Sequence, residues 1–521
     1  MSINRPTLLI RADAGPAIGT RHAMRSLSLA RAWTNSRGTA VFACGSLPRG
    51  LLKKIASQQI HFIPLNHSEC DQADAAETYR IAATLHPDWI ILDGNRFPEN
   101  YLAFLKQGQS KLLLIDDLGT ACSPLADIAL SQTISQLTAQ STHQLQPPIS
   151  LGGPEYALLD EFTTNRESSL PTPKKIATEA KKILVSLGER DEENWTLKTL
   201  QSISDLERKR IVVDCVIGSK YRHTAELSQF KKRANLNLRL HRNPDRLPQL
   251  LSRIDLAITS SDATFQLAYW GVPAIIINPL ASESHAKVFT DNPALQFNGH
   301  TTPSSRQELK HTIKQLIANA GQRKSMSELG QRQVDGDGAK RVVRAMKTGN
   351  LKLRTAAFED YKIIWNWHND PEVKSVALAI PNRSMDEFGS EFQTAVASRN
   401  TNFWIVENVA GNPIGYARFD DIDGERTPKI SIIVDHSQRG RGVGTALISQ
   451  ASEKFFRETN HSSIVAQIRT GNIASEKAFR TAGFSGIQPV IVNGKMAIQF
   501  ERKRPSGIPL PLPAERQRRS A

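Results

Sequence analysis

Through its first two thirds the chain alternates short β-branched apolar runs with helical patterns, and this alternation restricts the fold more than any other feature. The opening run Thr7 to Ile10 is followed by a helical stretch at Ser26 to Thr34; the runs Ala40 to Ala43, Trp89 to Asp93 and Lys111 to Asp116 come next. A strand, a helix and a second strand in that order make a βαβ unit, so the pattern predicts a parallel sheet. Turn formers at Leu151 to Tyr156 and a polar stretch at Thr163 to Lys175 interrupt it. It then restarts with Lys182 to Ser186, Arg210 to Ile217, Leu236 to Leu240, Leu256 to Thr259 and Ala274 to Asn278. Two successive α/β domains, 1–165 and 176–346, imply a cleft in which strand C-termini face one another and ligands bind.

A third pattern begins near Thr348-Gly349-Asn350. Leu351 to Arg354, Asn402 to Glu407, Pro413 to Phe419 and Lys429 to Val434 read as strands and define a domain over 350–504. Three domains agree with 521 residues at roughly 150 residues each. Beyond Arg504, the segment Pro505 to Pro513 and the basic residues Arg516, Arg518 and Arg519 predict an extended, disordered tail over 505–521.

No run approaches the roughly 20 apolar residues of a membrane helix, and the N-terminus lacks a secretory pattern. A cytoplasmic protein without a membrane span is expected. Cys44, Cys70, Cys122 and Cys215 lack paired spacing, which argues for isolated reduced thiols rather than a disulfide framework or a zinc site; no metal is expected. The net charge of +15 comes from basic residues spread along the chain with no nucleic-acid-binding motif, so anionic small substrates explain it and no nucleic-acid partner is expected. Composition leaves the oligomeric state open.

The chemistry-bearing motif lies in the third domain. The strand Ile430 to Val434 leads into Arg439-Gly440-Arg441-Gly442-Val443-Gly444 and a helical stretch from Thr445 to Thr459. Glycines let a backbone approach a ligand closely, successive N–H groups point at phosphate oxygens, and a helix N-terminus adds partial positive charge. No Gly-Lys-Ser/Thr ending marks a P-loop. No acidic residue closes a following strand as a dinucleotide ribose requires.

The Arg-x-x-Gly-x-Gly loop resembles the acyl-CoA signature of the GNAT acyltransferases. A second element supports the resemblance: the strand Ser463 to Ile468, then Asn472-Ile473-Ala474-Ser475 and Gly483-Phe484. It implies a mixed α+β GNAT domain using acetyl-CoA as acyl donor. It also implies two parallel strands that splay around the pantetheine arm, with Ile432, Val434, Asn472 and Ser475 among the cofactor-binding residues. Asp360, Trp365, Trp367 and Asn369 to Val373 resemble the acceptor-side opening of small-molecule members, Trp365 being a candidate substrate contact. In this family an amine attacks the thioester directly, so a proton must be removed and an oxyanion stabilised. Many relatives place a Tyr seven residues after the motif Asn, where this chain has Phe479; Glu407, Asp435 and His436 are the candidate bases.

Residues 5–345 resemble the UDP-sugar hydrolases of pseudaminic acid synthesis, relatives of the GT-B glycosyltransferases, through Arg11 to Ala30, Ile115 to Leu118, Leu151 to Phe162, Ile183 to Asp191 and Phe265 to Asn278. The first two domains are therefore expected to be Rossmann-like and GT-B-like. His22 matches the histidine that acts on the attacking water, while Asp13, Gly19, Arg25 and Gln266 match substrate-binding positions. The chain departs from that pattern with Arg21 for Gly, Glu189 for the second Gly of a turn, Gln266 for Glu, Gly94-Asn95 for His-Tyr and Ser282-Glu283 for Asn-Gln. Together the resemblances imply N-acetylation of a UDP-linked amino-deoxy sugar coupled to hydrolytic release of UDP. Two alternatives stand beside it: an acyltransferase with a non-hydrolytic GT-B-like docking module, and a protein N-acetyltransferase.

Overall fold

The computed structural model describes residues 5–505 apart from 16–18, 46, 95–96, 118–123, 133–148, 160–173, 189–190, 207–209, 219, 243–246, 261–262, 278–305, 350, 379–382, 398–401, 409–410, 423–424 and 441. Cys122, Glu189, Asn95, Ser282, Glu283, Arg441 and the tail beyond 505 thus lie outside the described residues. The chain forms two compact units, Met1–Val343 and Arg344–Ala521.

The first unit contains two all-parallel sheets. Strands β1 (Thr7–Ala12), β2 (Thr39–Cys44), β3 (His61–Pro64), β4 (Trp89–Asp93), β5 (Lys111–Ile115), β6 (Ile128–Ser131) and β7 (Ile149–Gly152) lie in the order β3-β2-β1-β4-β5-β6-β7. Strands β8 (Lys182–Ser186), β9 (Val212–Ile217), β10 (Asn237–Arg242), β11 (Leu256–Thr259) and β12 (Ala274–Ile276) form the second sheet, ordered β10-β9-β8-β11-β12. Both orders reverse beside the first strand, the Rossmann-like arrangement. Strands β1, β2 and β4 are buried along almost their whole length, as their unbroken apolar runs require.

Two details differ from the sequence reading. The first helix spans Arg21–Asn35 and so starts five residues before the apolar periodicity does. Its early start follows from the turn before it, which closes on itself: Gly15 and Gly19 exchange backbone hydrogen bonds of 3.0 and 2.8 Å, with Gly19 at φ +83. The segment read as turn formers contributes β7 and a single 3₁₀ turn, Pro154–Tyr156. The residues after it pack on the second half of the unit, where Ala157 and Leu159 share a core with Ala268, Tyr269 and Val334.

The second unit is one mixed sheet. Strands β13 (Lys352–Thr355), β14 (Asn402–Glu407), β15 (Pro413–Ile422), β16 (Glu425–Val434), β17 (Ser463–Arg469), β18 (Ser485–Val492) and β19 (Lys495–Lys503) run in the order β13-β14-β15-β16-β17-β19-β18. Helix Val443–Glu458 covers one face, burying Ala446, Leu447, Ala451 and Phe455 with Trp404, Ala417 and Phe419. Helices Tyr361–Asn369 and Met385–Ala397 cover the other through Ile364, Trp367 and Phe392, against Phe403, Ile405 and Tyr416. The parallel pair β16–β17 has a single register pair among the described residues, Lys429 with Val465. Beyond it the strands part, and the peptide groups on their facing edges no longer serve each other.

Candidate functional site

A cavity of about 1250 Å³ opens where β16 and β17 part. Its walls include Ile430 to Val434, Gln467 to Arg469, Gly440, Gly442, Gly444, Asn472, Ser475, Phe479, Trp365, His368 and Tyr416. The structure thus assembles Ile432, Val434, Arg439, the three loop glycines, Asn472, Ser475 and Trp365 around one space.

The loop between β16 and the helix is built for an anion. Gly440 and Gly442 sit at φ +76 and +82, where a side chain is strained, and Gly442 caps the helix without any side chain closing its first turn. The first N–H groups of that helix therefore lack intrahelical partners and face the cavity end. Val443 and Gly444 belong to the helix rather than to the loop. Arg439 fixes the loop: its guanidinium donates to the Val434 carbonyl at 3.0 Å, to Asp370 at 2.8 Å and to Glu372 at 2.6 Å. Those carboxylates hold its pKa above the usual arginine value against the opposing effect of burial. Asn472 also has a structural task, capping helix Ile473–Thr481 by accepting from the Ser475 N–H at 3.1 Å.

The nominated bases do not converge on the cavity. Glu407 ends β14 and accepts from Arg354 Nε at 2.6 Å, in a cluster where Arg354 also holds Asp360 at 2.7 Å through each of two nitrogens. Asp435 accepts from Trp367 Nε1 at 2.9 Å and from Ser437, which hold its pKa below the usual carboxylate range despite partial burial. His436 stands in the turn before the loop with its side chain 78% exposed. None of the three lines the space.

Two cavity residues were invisible in the sequence. His368 Nε2 lies 2.8 Å from the Tyr416 hydroxyl, across 48 residues of chain. Burial, reinforced by the positive charge of Arg418, lowers the His368 pKa to about 4, so the imidazole is neutral near pH 7. Burial also raises the Tyr416 pKa well above its ordinary value. Phe479 is buried, edge-on to Phe484 at 5.0 Å, and brings no hydroxyl. Strand register places Tyr416, Arg418 and Asp420 opposite Ile433, Ser431 and Lys429, all on the face that meets the His368 helix.

In the first unit, Asp93 at the end of β4 collects several donors at the point where the strand order reverses. It accepts from His22 Nδ1 at 2.9 Å, from Arg25 at 2.9 and 2.5 Å, and from the Ser26 hydroxyl at 2.7 Å. Arg25 also pairs with Asp117. These partners outweigh the cost of burial and keep the Asp93 pKa far below the ordinary carboxylate value. Asp13 pairs with Arg11 at 2.7 Å, and Gln266 is half-buried in helix Thr264–Tyr269. Cys44 and Cys215 are buried, which pushes each thiol up to about 12 and makes it inert. Among the described residues no cluster of three or more His, Cys, Asp or Glu is placed to hold a metal ion, and no helix is long and apolar enough to cross a membrane.

Residues 350–485 match the acetyltransferase (GNAT) domain family. Residues 350–485 of the second unit are thus a GNAT acetyltransferase domain, with the splayed strands and glycine loop at its centre. An uncharacterized protein of Methanocaldococcus jannaschii is 21% identical over 498 residues, which is 92% of this chain and 96% of the archaeal protein, so that likeness runs through both units. Similar solved structures include an aminoglycoside acetyltransferase in complex with coenzyme A (20% identity, 30% of this chain, 96% of that one, TM-score 0.28). Another is the spermidine N-acetyltransferase of Vibrio cholerae in complex with CoA and spermine (21% identity, 30% and 98% coverage, TM-score 0.28).

Proposed function

We propose that the chain transfers an acetyl group from acetyl-CoA to an amino group of a UDP-linked amino-deoxy sugar and also hydrolyses the sugar–UDP bond. In the second unit the N–H groups of Gly440 and of Gly442 to Gly444 hold the donor's pyrophosphate, and the parted edges of β16 and β17 hold its pantetheine arm. The cavity carries six cationic side chains, Arg383, Arg418, Lys429, Arg439, Arg469 and Lys477, against three carboxylates, Glu372, Glu391 and Asp420. That balance suits an acceptor bearing phosphates and disfavours a polycation.

The hydrolytic half rests on one observation, the 2.9 Å contact of His22 Nδ1 with the buried Asp93 carboxylate. A carboxylate that accepts a hydrogen bond from Nδ1–H favours the tautomer in which Nε2 can accept a proton from water, although the Arg25 guanidinium also reaches Nδ1, at 3.2 Å. A neighbouring feature favours the docking reading: Arg25 donates to the same Asp93 oxygen and spends part of its charge. Incubation with acetyl-CoA and a UDP-linked amino-deoxy sugar, following CoA release and UDP release separately, decides between them. In the bifunctional reading His22→Ala stops UDP release and spares acetylation. Wild-type protein that binds the nucleotide sugar, acetylates it and never releases UDP is an acyltransferase with a docking module. Acetylation of peptide N-termini but not of the sugar rejects both.

A further inference from the structure

Amide formation from a thioester moves one proton from the amine to the departing thiolate, and a side chain of the cavity wall placed beside the reacting atoms can carry it. Phe479 has no hydroxyl, Glu407 is held by Arg354, and Asp435 and His436 lie off the cavity wall. Among the described wall residues, His368 and Tyr416 form a hydrogen-bonded pair suited to proton exchange. Tyr416 is 6% exposed, and its ring packs against Phe403 at 5.1 Å between centroids. His368, edge-on to Phe388 at 5.4 Å, meets the Tyr416 hydroxyl at 2.8 Å. Both line the space beside Ile433, which stands opposite Tyr416 on the strand bordering the splay.

We propose that Tyr416 is a catalytic residue of the acetyl transfer and that His368, through its hydrogen bond, positions the hydroxyl and takes up its proton. The proposal rests on the acetyl-transfer reading above. The amine nitrogen attacks the thioester carbon and forms the C–N bond; its surplus proton passes to the Tyr416 oxygen as the hydroxyl proton moves to His368 Nε2. When the C–S bond breaks, His368 returns that proton and Tyr416 delivers one to the sulfur. The products are the amide and the free thiol of CoA, with both side chains restored. Burial suits both parts of this relay: it disfavours a free tyrosinate and makes the imidazolium short-lived. The charged groups nearest the pair are Arg418 and Asp420 on the same strand, which hold each other at 2.5 Å.

The test uses the full chain with acetyl-CoA and three probe amines: a UDP-linked amino-deoxy sugar, spermidine and kanamycin. With any amine that wild type acetylates, Tyr416→Phe should lower kcat about 100-fold, the lower end of the range for general acid–base catalysis, while the KM for acetyl-CoA stays within about threefold. His368→Ala should lose activity that added imidazole partly restores and that benzene, a ring of similar size without a proton-accepting nitrogen, does not. Unchanged near-UV circular dichroism and acetyl-CoA affinity exclude misfolding as the cause. Tyr416→Phe with wild-type kcat overturns the proposal and leaves the acetyl-transfer reading standing. A wild type inactive toward all three amines overturns both.

Discussion

Gly442 offers the sharpest separation of backbone strain from ligand contact. At φ +82 an L side chain costs about 1–2 kcal/mol. An added Cβ would meet only Thr348 Cγ2, at 3.7 Å, so Gly442→Ala fits sterically and pays a purely conformational penalty. The loop relieves it by rotating the first N–H groups of helix Val443–Glu458 away from the cavity. Each hydrogen bond to a charged phosphate contributes about 1.5–3 kcal/mol, so loss of one weakens acetyl-CoA binding about 10- to 150-fold. Titration calorimetry with acetyl-CoA measures this loss. S-acetylpantetheine, which has no pyrophosphate, should bind wild type and variant alike. Gly411→Ala is the control: Gly411 has φ +78 and open space around it but does not line the cavity, so it should lower stability similarly without touching donor affinity. Unchanged acetyl-CoA affinity in Gly442→Ala, or an equal loss with the truncated donor, refutes the assignment of the loop to pyrophosphate.

Three further outcomes follow from the same geometry. Asp93→Asn removes one of the two carboxylates that pair with buried Arg25, Asp117 remaining, and should cost about 1.5–3 kcal/mol in denaturant unfolding of the first unit, whereas Ser26→Ala, which removes one of several donors, should cost about 1 kcal/mol. His368 has a folded pKa of about 4, below its unfolded value; its contribution is therefore complete above roughly pH 6.5 and is lost as pH falls toward 4. A His368→Gln variant that keeps the Tyr416 hydrogen bond should flatten this part of the stability profile, read by thermal melts between those pH values. Phe479→Tyr restores the hydroxyl that many GNAT relatives carry; with Tyr416 already serving the proton, kcat should change less than about threefold in wild type and recover partly in Tyr416→Phe. A large gain from Phe479→Tyr alone would show that the proton route in the native chain is incomplete.

The parts legible in the sequence are those whose cause is local. Strands β1, β4 and β8 are short apolar runs because both faces are buried, and the register of β1 with β2 and β4 follows from that burial. The glycine loop is legible because positive φ and close approach select glycine whatever surrounds it. Edge strand β3 is not legible: it is His61–Pro64, with exposed ends and no fully buried residue, so its pattern carries no signal. The β18–β19 hairpin had a local signal that went unused, Asn493-Gly494 with both residues at positive φ (+50 and +72), the requirement of a tight two-residue turn. The anchoring of Arg439 is not legible for a physical reason: its partners, Asp370 and Glu372, lie almost 70 residues earlier.

The same distinction explains why donor and acceptor halves differ in how far sequence reaches. Everything proposed to hold the donor comes from two contiguous stretches, Ile430 to Thr445 and Gln467 to Phe479, each a strand running into a helix whose N-terminus faces the splay. The acceptor wall is assembled from helix Tyr361–Asn369, helix Met385–Ala397 and strand β15, and its properties exist only in the assembled state. His368 is neutral because Phe388 and Tyr416 bury it and Arg418 repels a further charge, and no one of those residues predicts it alone. Substrate choice in such a domain can therefore drift through substitutions on three separate elements while the donor loop stays fixed. The net positive charge of the cavity as a whole, rather than the loop alone, is accordingly the feature that argues for a phosphorylated amine here, and exchanging Lys429 and Arg418 for glutamate should shift preference toward spermidine.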